Sequence, residues 1–239
     1  MLIAVINQSK GLVADADVTT MTTAIASQVQ TDVAPIWERA PATVTFYTDP
    51  TTVPAGAYVI AIVDTIPNQP TSLLGGHTEN QAGQMSGVVA AQPELANGGQ
   101  VLTGDWSVSS TLSHEVLEMF IDPSCNLWAN DGQGSVYSFE VCDPVEAPTY
   151  PVNGVSVSNF VTPAWFDPLA PVGSQFDKQN LLKAGFSILP GGYMTYESAN
   201  GKVQQQWGAA YPGWRKTMKG GPEARGQQRL LQLQASYHV

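Results

Sequence analysis

The run "AYVIAIVDT", residues 57–65, is apolar at nearly every position, the pattern of a strand buried inside a sheet. The sequence around it offers companions for such a strand. "LIAVIN" reads as a first strand, "ATVTFYTD" as an alternating, β-branched one, and "MSGVVAAQ" as a further one. Between the first two, "DVTTMTTAIASQVQTDVAPIWE" spaces Met21, Ile25, Val29 and Val33 along one helical face, with Asp17 as the expected N-cap. The expected order is strand, helix, three strands, and then a second helix.

That second helix carries "SHEVLEMFIDP", Ser113 to Pro123. Ser109 or Ser110 is its expected cap, and Leu112, Val116, Met119 and Phe120 form its apolar stripe. Proline pushes the residue before it out of the helical region, so the helix is expected to end at Asp122. "SVYSFEVCD" follows as an extended segment. From Pro144 the texture becomes proline-rich, with turns expected at Asn153-Gly154 and Gly191-Gly192.

A chain of 239 residues, 43% of them hydrophobic, buries a sizeable core in one large domain or one domain with an appendage. With 17 prolines, 22 glycines and only 13% charged residues, it needs many turns and substantial β structure, which makes the expected class α+β. The formal net charge of −10 argues against nucleic-acid binding, which needs clustered Lys and Arg. The basic residues gather at the end, where Lys202, Arg215, Lys216, Lys219, Arg225 and Arg229 face Glu223 alone. The expected division is a metal-binding domain over 1–200 and a Gln-rich basic extension over 201–239, which docks on the acidic body or contacts another subunit. No apolar run approaches membrane-spanning length and the N-terminus lacks a basic leader, so no membrane partner and no signal peptide are expected. Cys125 and Cys142 lack paired CxxC spacing and are expected as free thiols, with a disulfide or a Cys142 thiolate ligand as the alternatives.

On a helix, positions four apart share a face, so His114 and Glu118 direct a nitrogen and an oxygen at one point, with Glu115 beside them. In such an arrangement the pair holds a metal and the intervening glutamate takes a proton from water on that metal. A concentration of carboxyl groups in so sparsely charged a chain favours a metal or a paired site. The bland alternative is a satisfied, half-buried His114 with Glu115 and Glu118 facing solvent. Of the "FEVCDP" acids, strand alternation would separate Glu140 from Asp143. Release of Asp143 by the turn at Pro144 favours it as the third ligand, with Glu140 orienting His114. His77 in "GGHTENQAG" is read as a surface histidine in a polar loop; Tyr193, Tyr196, Trp106, Trp165 and Trp214 are read as packing residues.

With "HEVLE" in the place of HExxH, the chain resembles the zincin metallopeptidases. That resemblance implies a twisted mixed sheet whose edge strand binds an extended peptide, an active-site helix beneath it, an irregular β-rich C-terminal part, and a third metal ligand from a later segment. "QMSGVVAAQ" would be the edge strand, and Glu140 or Asp143 the later ligand. Glu118 in place of a second histidine makes the donor set harder, so calcium, manganese or iron join zinc, the first choice, as the divalent cofactor. A narrower resemblance, through "SHEVLEM…DP", "EVCD" and "VSNFVTPAWF", is to bacterial and phage proteins, and it singles out His114, Glu115, Glu118, Asp122, Glu140 and Asp143. The expectation is a metal-dependent hydrolase, peptidase-like, acting on a peptide or protein and found in the cytoplasm or on a virion. The alternative is a non-enzymatic structural or assembly protein of a virion, with a structural or vestigial metal and a homo-oligomeric or assembly contact through the extension.

Overall fold

A computed structural model describes residues 1–67, 73–79 and 83–209 of the chain. The elements in the first half are β1 (Leu2–Asn7), α1 (Asp15–Gln28), α2 (Ala34–Ile36), β2 (Thr43–Tyr47), β3 (Tyr58–Val63), β4 (Gly75–Glu79), β5 (Met85–Ala90), α3 (Ala91–Ala96) and α4 (Val108–Ile121). They build a five-stranded sheet of order β2-β1-β3-β5-β4, in which β4 alone runs antiparallel to its neighbour. The protein is a mixed α+β fold, as its composition implies.

Helices α1 and α4 pack on one face of that sheet and touch each other. Met21, Ile25, Val29 and Val33 are all fully buried, as their spacing predicts. The helix starts three residues earlier than expected, after Ala14, so Asp17 lies in its first turn instead of capping it. A widened π turn over Val29–Val33 leads into α2, whose Pro35 offers no N–H and whose ring would otherwise meet the carbonyl one turn back. The apolar run opening the sequence is β3, yet only Ile60 and Ile62, on the helix side, are fully buried; Val59, Ala61 and Val63 on the other face are partly exposed. Its expected burial on both faces is therefore corrected to one.

The strand "GGHTE", read as loop, is a second correction. It is β4, and it takes the edge, leaving β5 flanked on both sides. Paired glycines at its start carry the signal of a turn, which hid it.

The second half contains β6 (Trp128–Asn130), β7 (Val136–Ser138), β8 (Thr149–Val152), β9 (Val155–Ser158), β10 (Tyr193–Glu197) and β11 (Val203–Trp207). β8 and β9 form a hairpin through Asn153 and Gly154, both at positive φ, the turn that this dipeptide favours. β11-β10-β7-β6 form a four-stranded sheet, so residues 203–207 of the Gln-rich stretch pair with β10. The cluster Arg215, Lys216, Lys219, Arg225 and Arg229, together with Trp214, lies outside the described residues. Among those described, no helix is long and apolar enough to cross a membrane.

Candidate metal centre

Every residue of α4 is buried, so the reading in which Glu115 and Glu118 face solvent is overturned. Its N-cap is Ser107 and not Ser109 or Ser110: the Ser107 hydroxyl accepts from the amide of Ser110, whose own hydroxyl accepts from the amide of Ser107. At the other end, Asp122 leaves the helical region before Pro123, as expected, and its carboxylate accepts the amides of Asn126 and Leu127 at 3.1 and 2.9 Å. Asp122 thus closes the helix and shapes the next turn. Arg39 donates to the carbonyls of Phe120 and Ile121, placing a positive charge at the helix C-terminus.

The azimuth of α4 is set beside His114. Ser113 donates to Oε1 of Gln28 on α1 at 2.7 Å and accepts the amide of Ser158 on β9 at 3.0 Å, while Gln28 donates to the Ser158 carbonyl. With that side chain anchored, His114 turns toward the chain that follows β7. There the extended geometry ends at Ser138, and Asp143 opens a short 3-10 turn, Asp143–Val145, with Pro144 in its second position. The strand alternation that would have separated Glu140 from Asp143 does not extend that far.

Nε2 of His114 lies 3.1 Å from Oε1 of Glu118 and 3.1 Å from Oδ1 of Asp143. His114, Glu118 and Asp143 form one donor set, each offering an atom within 4.8 Å of the others. A second set consists of His77, Glu115 and Glu118, so Glu118 belongs to both. His114, Glu115, Glu118, Glu140 and Asp143 are each at most 4% exposed. Glu140 is buried close by but lies in neither set.

His77 is not a surface loop residue. It sits on β4 with its side chain 2% exposed, its Nδ1 3.5 Å from Oε2 of Glu115 and its Nε2 3.1 Å from the carbonyl oxygen of Asp122. Its inward phase follows from the register His77↔Gly87, since Gly87 faces Ile60 and Met119 on the helix side. Only recognition of β4 as a strand would have exposed this from sequence.

Both cysteines are free thiols, as expected. Burial pushes the Cys142 thiol well up, and the nearby Glu118 carboxylate adds to it, so the sulfur stays protonated. Cys142 belongs to neither donor set, although its amide donates to Oε1 of Glu118 at 3.3 Å. Tyr193 packs against Trp207, Tyr196 stacks on Tyr137 and Trp165 is buried, in keeping with their packing roles. Half-buried Trp106 has a different setting, lining a small cavity with Leu74, Thr111, His114, Glu146 and Ser158. Comparison with protein-family models, curated proteins and solved structures finds no match.

Proposed function

We propose that this chain is a metal-dependent hydrolase of zincin-like architecture that cleaves peptide bonds, with one divalent cation held by His114, Glu118 and Asp143. One observation carries the reading. An imidazole nitrogen has one hydrogen or one lone pair, yet Nε2 of His114 faces two carboxyl oxygens at the same 3.1 Å. A single cation faces all three atoms at once, and four-coordinate zinc with bonds of about 2.0–2.2 Å spaces its ligands roughly 3.3–3.5 Å apart. Burial adds to the case, because clustered carboxyl groups away from water need a compensating charge.

The donor chemistry, one nitrogen and two oxygens, suits zinc and also manganese or iron(II). Such a cation supplies Lewis acidity, which activates water near neutral pH and polarises a carbonyl. The chain's own part is to orient and to move a proton. Glu115 accepts the proton of the attacking water, and Ser113, bonded to two neighbouring elements, holds the helix that carries both Glu115 and His114. β4 ends its sheet, so the edge position expected of β5 falls to β4. The parallel sheet with an antiparallel edge strand above a motif-bearing helix supports the zincin-like reading.

The test is elemental analysis of the purified protein and of His114→Ala, with peptide hydrolysis measured on Glu115→Gln. The expected result is metal in the parent, less of it in His114→Ala, and metal without hydrolysis in Glu115→Gln. A parent that takes up no divalent metal overturns the reading.

The near-complete burial of the donors favours a second reading, an assembly protein, such as one of a virion, whose metal is a structural staple. In that case metal removal lowers thermal stability and no hydrolysis appears with any peptide.

A further inference from the structure

We infer that His77, Glu115 and Glu118 form a second divalent-cation site, joined to the first through the Glu118 carboxylate, so that the protein binds a pair of cations. The inference rests on the reading of His114, Glu118 and Asp143 as the first site.

The argument starts from His77. Nε2 stands 3.1 Å from the Asp122 carbonyl oxygen, and a carbonyl only accepts, so the hydrogen is on Nε2. In the neutral ring Nδ1 then presents its lone pair toward Oε2 of Glu115 at 3.5 Å. A ligating histidine commonly donates its other N–H to a backbone carbonyl in this way. Glu118 completes the set, with one atom from each residue within 4.8 Å of the others.

The elements around the set also make room for it. Gly75 lies two residues before His77 on the same face of β4, and a Cβ there would stand 2.7 Å from Oε1 of Glu115. A carboxylate has two oxygens, so Glu118 can serve both sets at once. One imidazole and two carboxylates again suit zinc, manganese(II) or iron(II) over calcium, which takes oxygen donors alone. A cation at this second site engages Glu115, the proton acceptor, so the first equivalent supports hydrolysis and the second suppresses it.

The experiment loads metal-free, full-length protein with zinc, removes unbound zinc by desalting, and measures zinc per chain. It is applied to the parent, His77→Ala and His77→Gln, with circular dichroism confirming that each is folded. Two equivalents in the parent and one in a folded His77 variant support the inference. One equivalent in the parent overturns the second site and leaves the first intact, whereas none overturns the first site as well. Two equivalents in both a folded variant and the parent place the second cation elsewhere and also overturn the inference. Manganese loading gives an independent readout: magnetic coupling between two ions in the parent, absent in the variant.

Discussion

Gly75 touches Glu115 as only a glycine can: an added Cβ would lie 2.7 Å from the Glu115 carboxyl oxygen and 3.0 Å from the Val88 carbonyl. Gly75→Ala must push α4 or the Glu115 side chain away from β4. Overpacking of this kind costs about 1–3 kcal/mol. Urea unfolding of Gly75→Ala should show that loss, and combining it with Glu115→Ala should recover part of it, the non-additivity expected of neighbours. Purely additive effects would mean that the two residues do not press on each other.

Ser107 and Ser110 satisfy each other's amides at the start of the helix that carries the site. Ser107→Ala removes one half of the pair and should lower stability by about 1 kcal/mol. Ser109→Ala removes two other bonds, its donation to the Ser156 carbonyl and its contact with the Ser107 hydroxyl, and should leave the two reciprocal amide bonds of Ser107 and Ser110 in place. Amide hydrogen exchange over residues 107–112 distinguishes the two.

The Tyr150 phenol is pushed above its ordinary value of 10.0 by burial first and then by the Asp32 carboxylate, against an opposing hydrogen bond from Gln28. The unfolded chain releases this proton near the ordinary value while the native chain retains it. Above about pH 10 the unfolded state therefore binds fewer protons, and stability falls as pH rises. The contribution is fully present below that value. Tyr150→Phe should flatten the decline in melting temperature between about pH 10 and 12, at a neutral-pH cost of about 2–4 kcal/mol for the two hydrogen bonds lost, one of them to the Asp32 carboxylate. An unchanged alkaline slope would contradict the assignment.

Chelation should destabilise the parent more than His114→Ala. A ligand bound only by the native state at one hundred times its Kd contributes about 2.7 kcal/mol, so thermal melts with EDTA and with restored zinc should differ by several degrees. Identical melts would remove the support that burial lends to a bound cation.

Much of this architecture is legible in the sequence because its signals are periodic. Met21, Ile25, Val29 and Val33 mark the buried face of α1, Asn153-Gly154 marks a hairpin, and Pro123 marks the end of α4. Local signals are ambiguous. The helix starts within a run of serines, and only the reciprocal bonding of Ser107 and Ser110 decides which one caps it. The turn expected at Pro144 points to Asp143 from sequence, although the strand already ends at Ser138. His77 was hidden because its strand opens with two glycines that side-chain patterning reads as a turn, although in the fold Gly75 gives Glu115 its space.

The bonds from Ser113 to Gln28 and Ser158 have a mechanical consequence. Each residue advances a helix by about 100°, so a slip of α4 by a single position would swing His114 out from Asp143 and carry a neighbour into its place. One hydroxyl, wedged between two strangers in the chain, acts as the key that stops this shaft from turning.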